Sequence, residues 1–165
     1  MEHSRAHLVS RPGERSAELG IFDLADRLDV GDVVARLRRE AGGRVVGEAL
    51  VDQRVVAGIG NVWLAEMLWQ VRVSPWTPLG DVSDHQLQRA LEWAREAMLA
   101  SVGGRRARRA VYRRARRGCP RCGEPIRSRG LGEANRTAYW CPRCQPVLVQ
   151  RRGRDSNPRR ADYHP

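Results

Sequence analysis

The chain has 165 residues and a formal net charge of +11, with thirty cationic side chains against nineteen acidic ones. This length allows one hydrophobic core, or one modest core beside a small metal-held module. The charge favours a nucleic-acid-binding protein, although basic chains also bind anionic membranes and ribosomes. No apolar run is long enough to cross a membrane and no secretory signal opens the chain, so we expect no membrane span and a cytoplasmic location.

The first predicted elements are a polar leader and two short helices. Residues 1–19 are predicted to be a leader or linker, because they are polar and contain a Pro-Gly pair. The next helix is amphipathic and ends at the glycine pair at 42–43, and a second short helix is predicted over residues 46–53. The apolar stripe of the amphipathic helix consists of Val33, Val34 and Leu37.

A turn with two glycines, residues 58–61, leads into a predicted helix over residues 62–71. Asn61 stands where an N-cap residue is expected, at the positive end of that helix dipole. Glycine lets the backbone approach a ligand closely, and free N–H groups at a helix start bind phosphate. The turn therefore predicts either a phosphate-binding site or an ordinary capped helix start with a packing glycine.

The longest predicted helix begins after Ser83, which forms a capping-box pattern with Gln86. The elements so far predict a mainly α fold, with a first domain over residues 20–104. The apolar stripe of this helix runs to a glycine pair and consists of Leu87, Leu91, Ala94 and Met98. Aromatic residues predicted to lie in the core rather than on a base-stacking surface are Trp63, Trp69, Trp76, Trp93 and Tyr112.

Residues 105–118 form an arginine-rich strap, in which eight arginines fall between positions 105 and 117. Such a run is either a solvated face or arm, or a contact surface. The segment 147–165 shows no periodicity and is rich in arginine, proline and aspartate. We therefore expect it to be a disordered tail.

Four cysteines form two Cys-x-x-Cys pairs, Cys119 with Cys122 and Cys141 with Cys144. The spacing is typical of a zinc site, because a two-residue gap lets both thiolates of a pair turn toward one tetrahedral ion. Disulfides are disfavoured in a cytosolic chain, and a redox dithiol would need a βαβ context that is missing here. The sequence predicts one structural Zn²⁺ in a β-hairpin zinc finger over residues 119–146.

Two segments together resemble one protein family. Residues 50–61, LVDQRVVAGIGN, resemble the helix–two-turn–helix signature of the formamidopyrimidine-DNA glycosylase and endonuclease VIII family. Residues 119–126, CPRCGEPI, and 136–145, RTAYWCPRCQ, resemble that family's C-terminal zinc finger. The resemblance covers roughly residues 18–146, and the aromatic pair before the third cysteine is more similar to the endonuclease VIII branch.

The resemblance implies DNA-binding residues where the motifs match. In that family the asparagine after the Gly-x-Gly turn contacts phosphates that flank the lesion, which implies this role for Asn61 beside Gly60. The hairpin arginine that clamps the phosphate near the flipped nucleotide matches Arg136, and Gln145 follows the last cysteine as it does in relatives. We expect all four residues to take part in DNA binding, mainly through phosphate contacts that do not read sequence.

The chain departs from the family in the residues that perform chemistry. The family attacks the sugar with the amine of an N-terminal proline, assisted by a glutamate and a lysine, whereas this chain begins Met1-Glu2-His3 and contains no lysine. The N-terminal catalytic domain that the resemblance implies has no counterpart, so no catalytic residue is assigned. We expect the damaged-DNA-binding portion of a base-excision-repair DNA glycosylase/AP lyase for oxidised bases, inactive alone. Its partner would be double-stranded DNA with damaged or abasic sites, bound by a nucleoid-associated monomer.

Three other interpretations stay open at this point. They are an intact enzyme that uses the Met1 amine, a standalone DNA-binding or regulatory zinc protein, and an RNA-binding zinc ribbon of ribosomal type. The first is disfavoured by the absence of lysine, and the last does not account for residues 53–61.

Overall fold

The computed structural model describes residues 29–102, 104, 108–132 and 136–147. Within these residues a helical region precedes a two-stranded antiparallel hairpin, so the predicted fold class is confirmed. The helices are α1 (Val30–Ala41), α2 (Val46–Val51), α3 (Asn61–Gln70) and α4 (Asp84–Val102), with a 3-10 turn at Leu79–Asp81. The strands are β1 (Arg127–Leu131) and β2 (Arg136–Trp140), paired so that Arg127 faces Trp140 and Leu131 faces Arg136.

Several predicted segments fall outside the described residues. They are the leader over residues 1–19, residues 105–107 of the strap and residues 148–165 of the tail. In the part of the chain that the structure describes, no helix is long and apolar enough to cross a membrane.

The helix boundaries follow from local hydrogen bonds. The Asp29 carboxylate caps α1 by accepting from the Gly31 N–H at 2.8 Å. The capping box predicted before α4 is present, since the Gln86 N–H donates to Ser83 Oγ at 3.2 Å and the Ser83 N–H donates to Gln86 Oε1 at 3.0 Å. Helix α2 ends two residues earlier than predicted, because the Asp52 backbone is extended.

The main core lies between the four helices, and both predicted apolar stripes are buried in it. Leu131 and Ala138 of the hairpin belong to the same core, so the hairpin closes the helical region on one side. A close approach at Gly47 makes this possible, because a Cβ there would lie 2.8 Å from the Pro75 carbonyl oxygen and 2.9 Å from Leu131 Cδ2. The largest fully buried side chains include Leu37, Leu50, Ile59, Leu64, Met67, Leu68, Leu87 and Leu91.

Three of the aromatic residues predicted to be core lie at its edge. Trp69 is buried, whereas Trp63, Trp76 and Trp93 are half-buried and pack against the main core. Tyr112 is half-buried against a second cluster that contains Trp69 and the cysteines.

Candidate zinc centre and nucleic-acid interface

The four cysteine thiols converge on one point. Their Sγ atoms all lie within 4.8 Å of one another, with Cys122 and Cys141 at 3.5 Å and Cys119 and Cys144 at 3.9 Å. Zinc–thiolate bonds of about 2.3 Å in a tetrahedron place the sulfurs about 3.8 Å apart. The donor set and its geometry therefore fit one structural Zn²⁺ with no open coordination position.

The cysteines differ in how readily they lose a proton. Burial works to raise the pKa of Cys119, but hydrogen bonds to its thiolate from the Arg121 backbone and the Trp69 indole lower the pKa to about 6. Burial and the neighbouring thiols raise the pKa of Cys144 to about 12. A divalent cation bound by the four cysteines would favour the thiolate form of each, because it neutralises thiolates that otherwise repel one another.

The zinc hairpin, residues 119–147, is fastened to the C-terminal end of α3. The Trp69 indole N–H donates to Cys119 Sγ at 3.4 Å. The Arg121 guanidinium lies 3.8 Å from the centre of the Trp69 ring and donates to the Trp69 carbonyl oxygen at 2.8 Å. The last aromatic ring of α3 and the Trp69 carbonyl oxygen, which also accepts from the Arg72 N–H at 3.3 Å, are thereby bound to the zinc hairpin.

Gln145 completes this attachment. It is 1% exposed, its Nε2 donates to the Val73 carbonyl oxygen at 2.9 Å, and its Oε1 accepts from the Cys141 N–H at 2.9 Å. Both ends of the amide are therefore used inside the protein. The geometry gives Gln145 a structural link between the last zinc knuckle and the segment after α3, and direct DNA contact, implied by the resemblance, is not supported by this burial.

A buried glutamate that sequence reasoning did not single out fixes the strap. Glu66 of α3 is 4% exposed, and its carboxylate accepts from the N–H groups of Ala110, Val111 and Tyr112 at 2.8, 3.0 and 2.9 Å. These charge-assisted bonds hold residues 110–112 against α3. The described part of the strap is therefore a fixed segment that presents its arginines from a defined backbone.

Arginines and aromatic rings surround an open cavity of about 820 Å³ beside the strap. Tyr112 meets Tyr139 edge to face with ring centres 5.3 Å apart, and the guanidinium groups of Arg109 and Arg113 lie 5.1 and 5.7 Å from the Tyr112 ring centre. The residues that line the cavity include Val62, Trp63, Glu66, Trp93, Arg108, Arg109, Tyr112, Arg113 and Arg114.

The 58–61 turn is held from one side by Gln53. The Gln53 side chain donates to the Ile59 carbonyl oxygen at 3.0 Å and accepts from the Gly58 N–H at 2.9 Å. Gly58 has a φ of +90°, which glycine adopts without the strain that other residues would carry. The amide of Gln53 thus makes the two hydrogen bonds to the backbone of the turn that another backbone segment could have made. These bonds fix the course of the chain into α3.

Helix α3 begins one residue earlier than predicted, and the prediction that Asn61 is the N-cap is wrong. Gly60 is the N-cap, with φ −98° and ψ 178°, and Asn61 is the first helical residue. No side chain caps the helix, and among the described residues no acceptor is bonded to the N–H groups of Val62 and Trp63. The buried Oδ1 of Asn61 also has no hydrogen-bond partner within the described part of the chain.

Arg136 lies at the start of β2, where it lines an open groove of about 770 Å³ between α2 and the hairpin. The same groove is lined by Gln53, which connects it to the 58–61 turn, and by Arg44 and Arg54. Both of these arginines bind Asp52, at 2.8 Å each. The bonds from Arg54 lower the pKa of the Asp52 carboxyl well below its usual range, ahead of the smaller effect of Arg44. Arg136 has no such ion pair among the described residues.

Comparison with known families identifies both parts of the chain. Residues 19–110 match the H2TH domain of formamidopyrimidine-DNA glycosylase, and residues 119–147 match the zinc finger found in that enzyme and in IleRS. The chain belongs to the formamidopyrimidine-DNA glycosylase and endonuclease VIII family. The match to the zinc finger agrees with the convergence of the four thiols on one structural zinc site.

Relatives in this family carry both names. The chain is 38% identical over 120 residues to a probable endonuclease 8 2 of Streptomyces coelicolor, covering 67% of this chain and 44% of that protein. It is 33% identical over 157 residues to a formamidopyrimidine-DNA glycosylase of Nocardioides, covering 84% and 52%. The chain spans about half the length of the relatives it matches.

Solved structures of this family share the fold. The MutM (Fpg) protein of Thermus thermophilus is 26% identical, with a TM-score of 0.62 over 73% of this chain and 51% of that one. The Fpg of Lactococcus lactis in complex with abasic-site DNA has a TM-score of 0.62 at 21% identity, over 71% and 47%.

Proposed function

We propose that this chain is the damaged-DNA-binding portion of a base-excision-repair DNA glycosylase/AP lyase that acts on oxidised bases. It binds the backbone of duplex DNA around a damaged or abasic site as a nucleoid-associated monomer. The observation that carries this proposal is the uncapped start of α3, where the backbone N–H groups of Val62 and Trp63 have no bonded acceptor among the described residues and lie next to the groove that Arg136 lines.

The start of α3 has the properties of a phosphate site. Gly60 contributes no side chain, and a Cβ there would meet nothing within 4 Å, so the space in front of the helix is open. The N–H groups at a helix start and the helix dipole both favour an anion. The half-buried Asn61 side chain is at the first position of α3 and could donate to a phosphate only through its amide nitrogen.

The groove next to this turn supplies the second contact. Arg136 is half-exposed on the hairpin and has no ion pair among the described residues, whereas the carboxylates that line the same groove, Glu48 and Asp52, pair with Arg44 and Arg54. Gln53 lies in the groove and binds the turn, so a duplex that fills the groove would meet Arg136 and the start of α3 together. Contacts of this kind position DNA and make binding sensitive to salt.

A titration of the zinc-loaded chain against a duplex that contains an abasic-site analogue tests the proposal. Replacing Arg136 with alanine should weaken binding about tenfold and should reduce the slope of log affinity against log salt by about one. Arg39→Ala is the control, because Arg39 is exposed on α1 and its nearest partner is Glu40 at 3.6 Å. Equal losses in both variants would overturn the assignment of the groove.

Two further comparisons on the same sample separate the other candidate functions. Structured RNA should bind more weakly than the abasic duplex, and equal affinity would favour an RNA-binding zinc protein. Borohydride treatment of the complex should give no covalent adduct, since the chain has no lysine amine to form a Schiff base. An adduct would show that this chain performs lyase chemistry with another amine.

A further inference from the structure

A third arginine-lined cavity lies at the opposite end of α3 from the 58–61 turn. It is open, has a volume of about 470 Å³, and is bordered by the last residues of α3 and the first turns of α4. Val71 contributes its apolar side chain, and the other lining groups are polar or cationic. These groups are Gln70, Arg72, His85, Gln86, Arg89 and Arg121, which we call the C-terminal basic pocket.

The charge of this pocket is not balanced from within. None of its lining residues is acidic, and neither Arg72 nor Arg89 has an ion pair among the described residues. Asp84, the acidic residue nearest in sequence to His85, is bound to Arg38 at 2.7 Å. Three guanidinium groups therefore line one concave surface without a carboxylate.

Only one of the three guanidinium groups has a partner among the described residues. Arg72 has a φ of +59°, a left-handed conformation that glycine adopts more readily than arginine. Arg89 lies in the second turn of α4, and Arg72 lies just beyond the C-terminal end of α3, where the helix dipole favours positive charge. Arg121 binds Trp69, whereas the Arg72 and Arg89 guanidinium groups have no hydrogen bond or ion pair among the described residues. An external anion would account for the others.

We infer that the C-terminal basic pocket binds an acidic peptide segment of a partner protein. Guanidinium groups bind carboxylates through two parallel N–H donors. The Gln70 amide beside them suits the backbone of a short peptide, whereas Gln86 Oε1 is already used in the capping box of α4. The concave shape and modest volume fit one or two acidic side chains better than the convex, continuous backbone of a duplex. Because α3 has ten residues, about 15 Å of helix separates this pocket from the start of α3, so peptide and duplex can be bound together.

The experiment measures binding of a fluorescent ten-residue peptide of alternating aspartate and glycine to the full, zinc-loaded chain. The pocket variant is Arg72→Gly with Arg89→Gln; glycine suits the backbone at position 72, so the fold is retained. The control, Arg39→Gln with Arg95→Gln, removes the same charge outside the pocket. We expect the pocket variant to weaken peptide binding about tenfold and the control less than about twofold, as expected for losing two charge-assisted contacts.

A saturating abasic-site duplex decides whether the pocket is separate from the DNA-binding surface. We expect the peptide to stay bound to the parent chain in the presence of the duplex, and the pocket variant to bind duplex as the control does. Equal loss of peptide binding in both variants would overturn the proposal, because it would show attraction to net charge alone. A larger loss of duplex binding in the pocket variant would overturn it too, and would assign the pocket to nucleic acid. Both results are independent of Arg136, so failure here is distinguishable from failure of the proposed function.

Discussion

The two ends of α3 differ in whether the rest of the protein supplies partners for them. At its C-terminal end the zinc hairpin supplies a partner for a terminal carbonyl, for the ring of Trp69 and, through Gln145, for the segment that follows. At its N-terminal end no side chain caps the helix and Gly60 leaves the first N–H groups open. One end is therefore bound to metal-held structure, and the other is free to bind a ligand. The difference teaches that an uncapped helix start is informative when the other end of the same helix is bound by the rest of the protein.

Removal of zinc should detach the zinc hairpin from the C-terminal end of α3. We expect it to have the largest effect on duplex binding. Chelation removes the ion that holds the four cysteine side chains together, so the zinc hairpin should unfold while most of the helical circular dichroism remains. Binding of an abasic-site duplex should fall by about 100-fold, because Arg136 loses its scaffold.

The control for chelation is addition of excess Zn²⁺, which should restore binding, whereas Mg²⁺ should not. Fluorescence of the tryptophans should change along with zinc loss, since the Trp69 indole donates to Cys119 Sγ. Full duplex affinity in the metal-free chain would show that DNA binding at the N-terminal end of α3 does not depend on the zinc hairpin at its C-terminal end.

Glu66→Gln tests the middle of α3 and should have the next largest effect. Glutamine can accept from the N–H groups of residues 110–112 through only one oxygen, and its NH₂ would face donors. The free energy of unfolding, measured in urea, should fall by about 2–4 kcal/mol.

The matched control for Glu66 is Glu92→Gln on the exposed face of α4, which should change the free energy of unfolding by less than about 0.5 kcal/mol. Similar small changes in both variants would mean that the strap is held to α3 by its apolar residues alone.

Gly60→Ser should cap the N-terminal end of α3 and has the smallest expected effect on stability. A serine hydroxyl at the N-cap would accept from the free N–H groups of the first turn. It should raise the free energy of unfolding by roughly a few tenths of a kcal/mol. Because the hydroxyl competes with phosphate for these N–H groups, duplex affinity should fall about fivefold. The opposite signs of the two effects are the signature of the open helix start.

Gly80→Ser is the control for this substitution, since position 80 is exposed and a Cβ there meets nothing within 4 Å. It should alter duplex affinity by less than about twofold. Equal or tighter duplex binding by Gly60→Ser would contradict a phosphate site at the start of α3.

Local patterns in the sequence predicted the elements of this fold. The apolar stripes of α1 and α4, the capping box of Ser83 and the spacing of the cysteines depend on residues close together in the chain, and the structure contains each of them. The N-cap of α3 was misplaced by one residue, because asparagine is a frequent cap and its propensity favoured Asn61 over Gly60. In the structure Asn61 is instead the first residue of the helix.

Long-range polar contacts could not be predicted from a single sequence. Glu66 resembles any helix glutamate until residues 110–112 fold over it, and Arg121 resembles other zinc-finger arginines until its stacking on Trp69 is known. Gln145 was assigned to DNA by resemblance alone, and only its burial reveals the link to Val73. The DNA-binding assignments of Gly60, Asn61 and Arg136 stay predictions that the experiments above address.

The hairpin residues Leu131 and Ala138 have a consequence for how this protein can change over evolutionary time. Because they complete the helical core, the helical region without the hairpin would expose an apolar surface that invites self-association. A zinc finger exchanged between relatives would have to carry a side chain that fits against Gly47, where no Cβ can be accommodated. The two parts, although they match separate families of domain, are therefore expected to be inherited together and to vary in a correlated way.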